Sequence, residues 1–215
     1  MNVGAPHFNM GKLEIRNLSC LRNERRLFSG LNLTLSAGSV VFLEGQNGSG
    51  KTSLLRILCG FRQQDEGELI WNERTISPDS DYFHNISYIG HFNGIKDELS
   101  VEENLNLMRS LAVASDINLE AVLRKIGLLK QADVITRQLS AGQKRKLSLA
   151  RLMMTKNSLW VLDEPFTSLD KDSVQFFESL IKEHINKGGM LILTSHHDID
   201  LTGLPVNHFD LAGYA

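Results

Sequence analysis

Apolar residues recur along this chain with two different periods, and the switches between them mark out its elements. "KLEIRNL" (12–18) alternates apolar and polar positions, the two-residue period of a strand with one buried face, and "LFSGLNLTLSAG" (27–38) predicts a second strand ended by Gly38. "SVVFLEG" (39–45), "SLWVLDE" (158–164) and "MLILTSH" (190–196) are almost unbroken apolar runs, as expected of strands covered on both faces. "GELIWNERTI" (67–76) predicts a strand and a turn.

Elsewhere the period lengthens to that of a helix. "KTSLLRILCG" (51–60) spaces its leucines helically and meets Gly60, a natural residue just past a helix end. "SVEENLNLMRSLA" (100–112) opens on Ser100 with Glu103 three residues on, a capping box, and "LSAGQKRKLSLARLMM" (139–154) repeats the device with Ser140 and Gln143. "LEAVLRKIG" (119–127) is a further helix, and in 172–189 Val174, Phe177, Ile181 and Ile185 form one apolar stripe. The order predicts an α/β fold in one domain, 12–215. Its core comprises about 12–83 and 156–215, interrupted by a helical insertion at about 84–155. Residues 1–11 read as a disordered tail, with Met10 an alternative start.

Composition narrows the classes. With 42% hydrophobic and 22% charged residues, the chain suits one globular unit. A formal net charge of −2 gives no electrostatic case for nucleic acid or an anionic membrane. Cys20 and Cys59, without C-x-x-C spacing, argue against a disulfide or metal framework. No apolar run nears the roughly 20 residues needed to span a bilayer, and "MNVGAPHFNM" has no secretory-signal pattern.

The chemistry begins at "GQNGSGKT" (45–52), between a buried strand and a helix, which is the context a phosphate-binding P-loop requires. Gly45, Gly48 and Gly50 permit a tight turn that aims backbone N–H groups at phosphate oxygens, with the helix dipole behind them. Lys51 is placed to bridge the β- and γ-phosphates and Thr52 to ligate Mg²⁺. "LWVLDE" ends a buried strand in two acids. Asp163 suits the acid that holds Mg²⁺, through water, and Glu164 suits a base that orients the attacking water and takes its proton. His196, at the end of the next buried strand, is placed to sense the γ-phosphate, whereas His197 reads as a surface residue.

"LSAGQ" (139–143) extends this into a family resemblance. The chain resembles the nucleotide-binding subunits of ABC transporters over nearly its whole length, with six elements in the family's order. These are the P-loop, a glutamine loop at about 90–92, the signature at 139–143, the acidic strand end at 159–164, a D-loop "TSLD" at 167–170 and the switch histidine His196. The resemblance implies a P-loop NTPase core of the ABC type with a helical subdomain. It implies ATP and Mg²⁺ as cofactors and ATP hydrolysis as the activity, with Lys51, Glu164 and His196 catalytic. It places ATP against Gly45, Gln46, Asn47, Gly48, Ser49, Gly50, Lys51, Thr52 and Ser53, and the metal against Thr52 and Asp163. Ser140 and the amides of Ala141, Gly142 and Gln143 would cap the ATP of a second copy in a head-to-tail dimer, with Asp170 as the D-loop acid.

Three positions depart from the common pattern: Ala141 replaces a glycine, His91 stands where the glutamine belongs, and Arg22 stands near the position of the adenine-stacking aromatic. Within the family, "YIGHFNGIKDELSVEENL", "LSAGQKRKLSLARL" and "LWVLDEPFTSLDK" are most similar to the ATP-binding subunits of cytochrome c biogenesis, or haem exporter, systems. That likeness implies integral membrane partners (CcmB/CcmC-like), a peripheral place on the cytoplasmic face of the inner membrane, and no nucleic acid. Phe92–Leu99, with Phe92, Ile95 and Leu99, would receive a partner's helix or else pack within the insertion. The alternatives are another ABC exporter and, less in keeping, a non-transport ABC ATPase. DNA-repair members carry a long coiled coil between the two nucleotide motifs, but here 163 − 52 = 111 residues intervene without sustained heptads. A small-molecule kinase would leave "LSAGQ" and "TSLD" unexplained.

Overall fold

The computed structural model describes residues 11–111 and 117–214. Of the expected tail only Gly11 falls in that range. It is buried, and its carbonyl accepts the Ala37 N–H. Two sheets organise the molecule. In the first, β1 (Lys12–Arg22) pairs antiparallel with β2 (Arg25–Ser36) and with β4 (Glu66–Trp71), which in turn pairs with the short β5 (Arg74–Thr75), giving the order β2-β1-β4-β5.

The second sheet is parallel throughout, in the order β6-β7-β8-β3-β9. Its strands are β3 (Val40–Glu44), β6 (Ile86–Ile89), β7 (Leu159–Asp163), β8 (Met190–Thr194) and β9 (Val206–Asp210). The unbroken apolar runs follow from burial on both faces. Alternate residues Val40, Trp160, Leu162, Leu191 and Leu193 enter one core, while Val41, Leu43, Val161, Met190 and Ile192 enter the other.

Helices complete the two cores. α1 (Lys51–Leu58) follows β3 and packs with the antiparallel sheet, burying Leu54, Leu55, Ile57 and Leu58. On the opposite face lie α2 (Val101–Leu111), α3 (Leu119–Lys125), α4 (Ala141–Leu149), α5 (Arg151–Met154) and α6 (Lys171–Asn186), whose residues share the other core. The stripe on α6 points inward as its spacing predicts: Phe177, Ile181 and Ile185 are each buried.

The sequence reading differs from the structure at two strands. Residues 86–89 fall inside the stretch expected to be a helical insertion, yet they pair with Leu159–Leu162 as an edge of the parallel sheet. The other edge, β9, was not expected at all, and it pairs with β3 from Val40 to Glu44. The single helix expected over 139–154 is broken at Ala150 into α4 and α5.

Candidate functional site

The C-terminal ends of parallel strands gather the chemistry, as this topology requires. β3 ends at Glu44 and the chain turns through 45–50 into α1, whose first residues are Lys51 and Thr52. Gly50 caps that helix at φ +105°, and a Cβ there would meet Leu27 and Phe28 at 3.1–3.3 Å, so a side chain would strain both backbone and packing. The Lys51 ammonium folds over the loop and donates to the carbonyls of Gly45 and, at 3.1 Å, Gln46.

β7 delivers Asp163 to the foot of this loop. The carboxylate is 4% exposed. It accepts the Thr52 hydroxyl at 2.8 Å on Oδ2 and the Thr194 hydroxyl at 2.7 Å on Oδ1. A buried carboxylate is tolerated only when so partnered. Glu164 follows at φ +50°, a left-handed conformation that costs a non-glycine residue on the order of 1–3 kcal/mol. The turn is held by its N–H, which donates to the Thr194 carbonyl at 3.2 Å and hydroxyl at 3.0 Å. Glu164 Oε2 accepts the His196 N–H at 3.0 Å, whereas the buried Oε1 has no hydrogen-bond partner. The His196 ring lies over both groups, with Nε2 3.5 Å from Glu164 Oε1 and 3.2 Å from Asn47 Oδ1.

A cleft of 260 Å³ brings together Gln46, Asn47, Gly48, Gly50, Lys51, Thr52, Ser53, Asp163, Glu164 and His196 with Arg22 and Leu27. Arg22 reaches it because β1 and β2 are joined by a tight turn at Asn23 and Glu24, both with positive φ. Thr194 is the residue that sequence reasoning missed. Its place at the end of a buried strand beside His196 was the available signal.

His91 lies in an adjoining cleft of 320 Å³ that shares only Thr52 with the first and is otherwise formed by Arg56, Phe61, Tyr88, Gly90 and Phe92. The signature residues and Asp170 line neither cleft. Ser140 caps α4 in the expected box: its hydroxyl accepts the Gln143 N–H at 3.2 Å, and the Gln143 side chain accepts the Ser140 N–H at 2.9 Å. The Gln143 N–H is thus taken up by the cap of its own helix. Asp170 caps α6 through Ser173 and pairs with Lys146 of α4 at 2.7 Å. Lys146 and then Ser173 hold its carboxyl well below the usual carboxylate range. A Cβ on Gly142 would sit 2.6 Å from the Ser168 carbonyl, so signature helix and D-loop touch within one chain.

A P-loop at a parallel strand end, a buried acid on its threonine, a second acid beyond it and a capped signature helix define an ABC-type ATP-binding domain. The family model described as "ABC transporter" matches residues 28–167, and the chain belongs to that family as an ATP-binding ATPase subunit. It is 44% identical to the cytochrome c biogenesis ATP-binding export protein CcmA of Aliivibrio fischeri, over 87% of this chain and 93% of that one. It is 42% identical to the protein of the same name from Haemophilus influenzae, over 96% and 98%. Among solved structures it is similar to a putative ABC transporter ATP-binding protein from Pyrococcus furiosus, at TM-score 0.79 and 27% identity over 95% of this chain and 99% of that one.

Proposed function

We propose that this chain is the ATP-hydrolysing subunit of an ABC complex for c-type cytochrome biogenesis, acting in haem export or release of a haem chaperone. The observation that carries the chemistry is the contact of Thr52 with Asp163 beneath the glycine loop, with Glu164 next in line. The pathway rests on the likeness to CcmA proteins along nearly the whole chain.

Lys51 leaves the loop carbonyls to neutralise the β- and γ-phosphates, while the backbone of 45–50 and the start of α1 cradle them. Arg22 lies flat against the base. Thr52 and Asp163, already in contact at 2.8 Å, would hold Mg²⁺, which would supply positive charge to offset that developing on the phosphates. Among the described residues no three His, Cys, Asp or Glu side chains form a cage of their own. Glu164 accepts the proton of the attacking water, its carboxylate oriented by the His196 N–H on Oε2. The His196 ring reads the γ-phosphate, and His91 lies in the adjoining cleft that shares Thr52.

The ATP held by one copy is capped by Ser140, Ala141 and Gly142 of a second copy, giving two composite sites by symmetry. ATP favours the closed dimer and hydrolysis releases it. Among the described residues no helix is long and apolar enough to cross a membrane. Integral membrane subunits of the CcmB/CcmC kind supply the spans, with this chain peripheral on the cytoplasmic face. Their contact is the loop after β6, where Phe92 is 80% exposed and Phe61, 67% exposed, stands close by. Ile95 and Leu99 are half-buried, so Phe92 carries the contact.

Purified Glu164→Gln protein tests the site. It should bind ATP and elute as a dimer in ATP and as a monomer without it. Hydrolysis at the wild-type rate in this variant would remove Glu164 as the base.

A further inference from the structure

The run Lys144-Arg145-Lys146 on α4 has the composition of a solvated face, but its middle residue is inside the protein. Lys144 and Lys146 reach outward to Asp97 at 2.8 Å and Asp170 at 2.7 Å, while Arg145 is 4% exposed. Its guanidinium joins two separate segments. Toward β7, Nε donates to the Pro165 carbonyl at 2.8 Å, and Nη2 to the carbonyls of Glu164 at 2.7 Å and Asp163 at 3.3 Å. Toward the loop after β6, Nη1 donates to the Gly90 carbonyl at 2.8 Å and to Asn93 Oδ1 at 3.3 Å.

Among the described residues no carboxylate lies within ion-pair distance of this cation. Backbone carbonyls hold it instead, and burial followed by the nearby Arg151 lowers its pKa to about 10, leaving it charged at neutral pH. Burying a cation without a counter-ion is costly, and a fold could fill this space with an apolar side chain. The carbonyls it takes are informative. Three of them bracket Glu164, whose backbone is held at φ +50°. The other segment contains His91 and the exposed Phe92. A planar fork with five donors in fixed geometry ties both to one rigid plane, which a lysine cannot do.

We propose that Arg145 is a positioning residue that transmits displacement of the 90–93 loop, and of α4 itself, to the backbone of Glu164. α4 starts at the signature residues, and Gly142 touches the carbonyl of Ser168, so approach of a second copy presses on the same element. Contact at Phe92 moves the carbonyl of Gly90 and the side chain of Asn93 in the same way. Both inputs meet at one guanidinium hydrogen-bonded directly to the turn that aims the carboxylate. The inference rests on Glu164 being the base.

The test compares Arg145→Lys and Arg145→Gln with wild type and Glu164→Gln. The readouts are steady-state phosphate release, titration with a fluorescent ATP analogue and thermal unfolding. Misplacing a catalytic group without removing it should lower kcat in both Arg145 variants by roughly 10- to 100-fold. The dissociation constant for the analogue should stay within about three-fold, since the glycine loop is untouched. Arg145→Lys working within about two-fold of wild type would overturn the proposal, as would parallel loss of affinity and rate in proportion to lost folded protein. If neither variant yields folded protein, Asn93→Ala removes one contact and leaves α4 whole. It should lower kcat about two- to five-fold at unchanged affinity, and an unchanged kcat overturns the proposal. Wild-type hydrolysis by Glu164→Gln would sink the base assignment instead, and is read separately.

Discussion

Replacing Thr194 with valine removes one hydroxyl at almost constant volume, and the structure says what that hydroxyl does. Thr194 is fully buried at the end of β8. Its Oγ1 donates to Asp163 Oδ1 at 2.7 Å and accepts the Glu164 N–H at 3.0 Å. The first bond reaches a buried carboxylate, and losing a hydrogen bond to a charged group costs about 1.5–3 kcal/mol. The second costs less, because the Glu164 N–H keeps the Thr194 carbonyl at 3.2 Å. Thr194→Val should therefore destabilise the protein by about 2–3 kcal/mol. For a domain of this size that lowers Tm by roughly 4–12 °C. Thr194→Ser keeps the hydroxyl and loses one methyl, worth about 0.8 kcal/mol, so its Tm should fall by only a few degrees, about 2–3 °C. Differential scanning calorimetry of the two variants decides the matter. Equal Tm values would mean that the hydroxyl does not support Asp163, and that the packing of β7 against β8 alone sets the strand end.

Three further outcomes follow from other parts of the molecule. Burial holds the His184 imidazole at about 4, below its ordinary 6.5, although the carbonyls of Met190 and Ser158 pull the other way. The unfolded chain therefore takes up the proton first. Stability is full above about pH 6.5 and falls by roughly 3 kcal/mol as the pH drops toward 4, so urea midpoints should fall less between pH 7 and 4.5 in His184→Gln than in wild type. Gly142→Ala places a methyl 2.6 Å from the Ser168 carbonyl. It should cost about 1–3 kcal/mol by overpacking, read as a lower urea midpoint, and should slow hydrolysis by displacing the signature helix; unchanged values would deny that α4 and the D-loop touch. Lys51→Ala should weaken ATP binding by about 10-fold or more, measured by fluorescent-analogue titration, and wild-type affinity would count against the cradle.

Much of this was legible in the chain because its strongest signals are periodic or dense. The strands whose alternate residues feed two cores read as unbroken apolar runs, and the P-loop packs three glycines and a lysine into eight residues. Signals that depend on distant partners were not legible. "ISYI" at β6 is four residues long, and "VNHFD" at β9 has no fully buried position, so neither edge strand carries a clear period. Their partners, β7 and β3, define them. Asp163 was readable as a strand-end acid, but the Thr194 hydroxyl that supports it comes from 31 residues away. Arg145 is the sharpest case. Between two lysines it looks like surface, and only the meeting of residues 90–93 with 163–165 puts it inside.

The central claim, that ATP turnover by this chain drives maturation of c-type cytochromes, is tested most directly by haem staining of those cytochromes in host cells carrying only a Lys51→Ala allele. The account predicts loss of the stained bands while the cytochrome polypeptides are still made and the variant is present and folded. Normal stained bands under the same conditions would contradict it, leaving an ABC ATPase that serves a different membrane partner.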